Sequence, residues 1–221
     1  MKKNKYIPAE KLDVMVEEIL SRNNISLEWS QDFCGIDIDE IIEFDYDLEF
    51  DMVDLTTKTN NTNVLAAISA EHRKIYLNEE KIETFKKNEG YLRFTKAHEL
   101  GHWVLHIDKT SLDLENDLFG MNDISYMCRS DDKDMRESQA DMFAARILMP
   151  KHFFTEAFRA VENKHGTFTW KQAYYLKNKF NVTISALVNR LNELDLCYIP
   201  NEEKTTIYRS RAEYYGQCSL F

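Results

Sequence analysis

His98 and His102 stand four residues apart, with Glu99 directly after the first, in the run FTKAHELGHWVLH (residues 94–106). On a helix such residues share a face, with Cβ atoms about 6 Å apart, so two imidazoles can converge on one ion. Neutral imidazole is a good ligand for zinc. Glu99 is rotated about a quarter turn from the two histidines, which places its carboxylate beside the ion rather than on it. There it can take a proton from a water that the ion activates. Phe94, Ala97, Leu100, Val104 and Leu105 recur at helical spacing around these residues, so the run predicts a buried amphipathic helix over about 91–107. Three polar side chains interrupt its apolar stripe, a burial cost that metal binding would offset.

A catalytic zinc site needs a third protein ligand and an open fourth position. The candidates are Glu137 and Asp141, again four apart, in DMRESQADMFAARILMP (134–150). A carboxylate from Glu137 can complete the site, and Asp141 can receive the N–H of a ligand histidine and fix its tautomer. An ordinary surface helix also carries acids at this spacing, so spacing alone does not choose. His106 falls four residues after His102 and reads as a supporting or packing residue rather than a ligand. Tyr126, Arg129 and His152 are candidate donors to an oxyanion, with nothing in the sequence to select among them. His72 and His165 read as solvated loop residues, and Trp29, Trp103 and Trp170 as core or interface residues.

RFTKAHELGHWVLH followed by ESQADMFAARILMP closely resembles, in order, the two signature segments of the ImmA/IrrE family of metallopeptidases. The resemblance runs over roughly residues 8–195. It implies that His98 and His102 are zinc ligands, Glu99 the catalytic base and Glu137 the third ligand. The pairing of Glu137 with Asp141 also resembles the ExxxD element of the wider glutamate-zincin group. Two positions depart from the pattern: Lys96 stands where the family is usually apolar, and Asp141 where Asn is common. Neither departure removes a ligand. Members of the family are similar in cleaving, at one site, a helix-turn-helix repressor of the XRE type. The resemblance therefore implies a regulatory zinc endopeptidase that derepresses genes of a phage, mobile element or stress response.

These residues must be held by a chain of 221 residues, 43% hydrophobic and 12% aromatic, enough to bury a real core. Its net charge of −10 disfavours direct nucleic-acid binding and favours a basic protein partner. Cys34, Cys128, Cys197 and Cys218 form no CxxC pair, which predicts free thiols in a reducing compartment. No apolar run is long enough for a signal or membrane segment, so the expected location is cytoplasmic.

Along the chain, Leu12, Met15, Val16, Ile19 and Leu20 predict a helix over 9–23. EFDYDLEFDM (43–52) alternates strictly and predicts a half-buried strand with an acidic outer face, a charged edge or a docking face for a basic partner. NVLAAISAEHRKIYLNEE (63–80) predicts a hairpin turning at residues 70–73. A short helix follows over 79–88. Residues 108–133 read as a long surface loop, and Asp132 or Asp134 as the cap of a helix that stops at Pro150. Helices are expected over about 151–163, 169–180 and 183–194, with a weakly patterned, β-prone tail. The expected architecture is α+β and zincin-like, mostly helical with a small sheet against the active-site helix: a metallopeptidase domain over 1–165 and a helical C-terminal region over 166–221. The pair at 169–195 also looks like a helix-turn-helix, which leaves a DNA- or protein-binding regulator, or a toxin–antitoxin component with a bound zinc, as the alternative. Against it, the second helix offers only Arg190 as a cation.

Overall fold

Leu12, Val16, Ile19 and Leu20 build the expected first helix: α1 spans Ala9–Arg22, and all four are buried. The computed structural model describes residues 6–25, 28–30, 32–107, 126–129, 135–200 and 205–216. The chain divides into two compact units, one made of Met1–Ile25 and Ile36–Leu148, the other of Ser26–Gly35 and Met149–Phe221. It is α+β, mostly helical with one small sheet.

In the first unit, α2 (Ile38–Glu40) runs into a π-helical turn over Ile41–Asp45, and only then does strand β1 begin, at Glu49–Val53. The strand expected from residue 43 is thus helical in its first part. The Asp37 carboxylate accepts the N–H groups of Asp39 and Glu40, and Ile38, Ile41 and Ile42 are buried at helical spacing. Capping and that spacing outweigh the two-residue alternation downstream. Phe44, expected inward, is 80% exposed. Asp47, at φ +51°, turns the chain into β1. Four of the five acids of this run are met from within the chain: Asp45 by Arg22 at 2.5 Å, Asp47 by Arg73 at 3.2 Å, and Glu49 and Asp51 by Lys74 at 3.2 and 3.8 Å.

After α3 (Leu55–Thr59), β2 (Val64–Ser69) and β3 (Lys74–Asn78) form the expected hairpin, with Arg73 at φ +53° in its turn. A 3-10 turn at Glu79–Lys81 leads into α4 (Ile82–Lys87), and α5 (Glu89–Leu105) follows. Strand β4 (Tyr126–Arg129) lies inside the stretch read as a loop and pairs antiparallel with β2. Four residues with no outward alternation to advertise them carry too little pattern to stand out. The remainder of that stretch, with the proposed caps Asp132 and Asp134, lies outside the described residues. The sheet order is β1–β3–β2–β4, with β1 parallel to β3 and the other pairings antiparallel. Helix α6 (Met135–Leu148) closes the unit and packs against both α5 and α1.

The second unit holds α7 (Lys151–His165), α8 (Trp170–Phe180), α9 (Ile184–Glu193) and the short α10 (Arg211–Tyr214). Asn181, at φ +48°, makes the tight turn between α8 and α9. Phe33 meets Phe153 and Phe180 edge-on at centroid distances of 4.7 and 5.0 Å, and Trp29 stacks on Phe180 at 6.1 Å. The β-prone tail contributes one isolated bridge, Tyr198 with Tyr208. The division at Met149 comes ahead of the boundary placed at 165/166 from the sequence, because α7 shares the aromatic core of α8. Among the described residues, no helix is long and apolar enough to cross a membrane.

Candidate metal centre

Helix α5 opens at Asn88, whose side chain accepts the Tyr91 N–H at 3.1 Å. From Thr95 to Trp103 every residue is buried, so the helix is enclosed on all faces rather than along the one stripe that its sequence predicts. Strand β2 and helix α6 pack against it. Lys96 is buried with the rest: its Nζ lies 2.6 Å from Asp39 Oδ2 and 4.3 Å from the centre of the Phe50 ring. An ion pair and an aromatic face therefore accommodate the cation at this position.

Gly101 sets the spacing between α5 and α6. A Cβ on it would stand 3.0 Å from Ala140 Cα and 3.1 Å from the Ala140 carbonyl oxygen, so any larger residue would press the two backbones apart by a few tenths of an ångström. His98 and His102 lie three residues before and one after Gly101; Glu137 and Asp141 lie three before and one after Ala140. The two helices thus meet at a pair of small residues with two polar side chains on each facing the other. The requirement was not legible beforehand, since a small residue within HELGH signals nothing until its neighbour is known.

The sequence-predicted site residues come together here. His98 Nε2 and His102 Nε2 are 3.0 Å apart, and Glu137 places Oε2 3.1 Å from the first and Oε1 3.2 Å from the second. His98 Nδ1 lies 2.8 Å from Asp141 Oδ1. If Nδ1–H donates to Asp141, a neutral His98 turns a bare Nε2 toward the Glu137 carboxylate and His102 Nε2. That nitrogen and the carboxylate are then two acceptors face to face, a pair that a cation between them would reconcile. Ligands about 2.0–2.1 Å from a tetrahedral ion stand about 3.4 Å from one another, close to the spacing seen. The donor set, two imidazole nitrogens and a carboxylate oxygen, fits a divalent metal.

Glu99 is fully buried, and neither carboxylate oxygen has a hydrogen-bond partner among the described residues. Burial pushes its pKa up to about 8, with Glu137 adding to the rise and His98 opposing it. Burial would also raise Glu137, but the adjoining His102 and His98 rings outweigh it and hold that carboxyl at about 2. Burial lowers the pKa of His102 and favours the neutral ligand form. His106 is not part of the cluster. Its Nε2 lies 3.1 Å from the Arg136 carbonyl oxygen, which it can reach only as a donor. Burial and the nearby His102 push it down to about 4, so the ring is neutral.

Of the oxyanion candidates, His152 is exposed on α7 in the second unit, and the side chains of Tyr126 and Arg129 lie outside the described residues. His72 is exposed in the hairpin turn, within 3.0 Å of the Tyr76 hydroxyl, and His165 is exposed at the end of α7. Trp103 is a fully buried residue of the site helix itself, and Trp29 belongs to the aromatic core of the second unit.

A comparison with protein families matches residues 57–192 to peptidase M78, the IrrE N-terminal-like domain. No curated protein matches the chain. The matched stretch takes in the hairpin, both site helices and the helices as far as α9, which is more than half of the sequence. On that match, and with a cluster fit for a metal on α5 and α6, the chain belongs to the peptidase M78 family of metallopeptidases.

Proposed function

We propose that the protein is a zinc-dependent endopeptidase in which His98, His102 and Glu137 hold the ion and Glu99 is the catalytic base. One observation carries the reading: three ligand atoms converge beside a buried carboxylate that has no other partner among the described residues. Bound there, zinc would lower the pKa of a water toward 7 and polarise the scissile carbonyl. Glu99 accepts the proton of the attacking water and hands it to the departing amine. Asp141 holds His98 in the tautomer whose Nε2 carries the lone pair, and its carboxylate makes the imidazole a stronger donor to the ion.

For the substrate we propose a basic, XRE-type helix-turn-helix repressor in the cytoplasm, cut once to release the genes it silences. The family membership and the net charge of −10 support this choice. The alternative of a DNA-binding regulator loses ground at Arg190. That residue, the one cation of α9, is buried, with Nε bonded to the Met149 carbonyl at 3.1 Å and a terminal nitrogen to Glu193 at 2.8 Å.

The test is a cleavage assay on the XRE-type repressor encoded nearest this gene, with wild type beside Glu99→Gln. A single cut by wild type alone is expected, with zinc retained in both proteins. Equal turnover by Glu99→Gln would remove Glu99 from the mechanism. Glu137→Ala should reduce zinc occupancy, and full occupancy there would mean that the third ligand lies elsewhere.

A further inference from the structure

Glu137 sits in the first turn of α6, where a helix frays most easily. A ligand there needs an anchor outside its own helix, because an error of even half an ångström at the carboxylate weakens a metal site. His106 supplies one. It is the C-cap of α5, and its backbone N–H donates to the His102 carbonyl at 2.9 Å. Its ring N–H donates to the carbonyl of Arg136, the residue directly before Glu137, at 3.1 Å. That carbonyl has two lone pairs, so the bond need not compete with the helix ladder of α6. One residue therefore ties the backbone of His102 to the backbone of Glu137, across the gap between the helices.

We propose that His106 is a positioning residue for the metal centre, fixing through the Arg136 carbonyl the place from which the Glu137 carboxylate reaches the ion. The reading rests on His98, His102 and Glu137 being the ligands. It gives the third histidine of the helix a task that is neither ligation nor proton transfer: Nε2 is engaged on the carbonyl and turned to the far helix's backbone.

The measurement is a cobalt(II) titration of the metal-free, full-length protein, followed by its visible absorption and repeated as zinc competition. Three variants accompany wild type. His106→Phe keeps the ring volume and removes the donor, His106→Gln restores an N–H at about the reach of Nε2, and Glu137→Ala removes the ligand itself. His106→Phe is expected to weaken cobalt binding by about tenfold or more, the usual effect of losing a partner behind the ligands, and to shift the absorption bands. His106→Gln should recover most of the affinity and the wild-type spectrum, with the melting temperature of the metal-free protein little changed in either. Wild-type affinity and spectrum in His106→Phe, alongside weakened binding in Glu137→Ala, would overturn this role alone. A His106→Gln no better than His106→Phe would also overturn it, since packing rather than the donor would then be at issue. Undiminished binding by Glu137→Ala would overturn this role and the ligand assignment together.

Discussion

Lys96 and Asp39 form a pair whose two halves are not equivalent. The Lys96 side chain is 11% exposed and that of Asp39 45%. Removing the acid strands an ammonium in the interior, whereas removing the ammonium leaves an acid that water still reaches. A fully buried pair broken on one side costs about 3–5 kcal/mol; with Asp39 half in water, about 1–3 kcal/mol is the expected loss for Asp39→Ala. Lys96→Met, which fills the same space without a charge, should cost much less. Urea unfolding of the two variants orders them, and a Lys96→Met midpoint below that of Asp39→Ala would refute the pairing argument. At this scale the convergence of His98 and His102 was legible, because their spacing is one that the helix converts directly into geometry. The partner of Lys96 was not, since Asp39 is 57 residues away and nothing local points to it.

Between α5 and α6 two effects of Gly101→Ala oppose each other. Alanine gains about 1 kcal/mol of helix propensity over glycine. Its Cβ, however, would press on the backbone of Ala140, and overpacking of this kind costs about 1–3 kcal/mol. The neighbour is main chain in a packed helix, which cannot turn aside as a side chain can, so the net effect should be destabilising. The variant should also bind metal more weakly, because the helices that carry the proposed ligands are wedged apart. Denaturation and a zinc titration check the two parts, and a stabilised variant with unchanged affinity would show that the approach is not tight. Elements with long periodic runs, such as α1, α5 and the hairpin, were legible in outline. The run from Glu43 was misleading because its alternation is real, but Asp37 and three isoleucines upstream commit the backbone to a helix first. Strand β4 gains its identity only from the β2 edge that it completes.

Over the whole molecule, the boundary between the units could not be drawn from the sequence, because one of them is not continuous. Ser26–Gly35 belongs with Met149–Phe221, and the reason is aromatic: the ring partners of Trp29 and Phe33 are Phe153 and Phe180, more than a hundred residues downstream. Composition and periodicity cannot register such a contact. A fragment ending at Leu148 would carry Trp29 and Phe33 without the rings that cover them. It should bind a hydrophobic dye more strongly than the full chain; dye binding no greater than that of the full chain would count against this packing. The chain leaves one unit and re-enters it, so the peptide bond after Leu148 is not the sole tie between the units. A protease nick there should cut the polypeptide without releasing either piece under native conditions, and size-exclusion chromatography should show them eluting together until urea is added. The excursion of ten residues works as a clasp, and a chain built this way can survive a single scission that would take apart two domains strung on one linker.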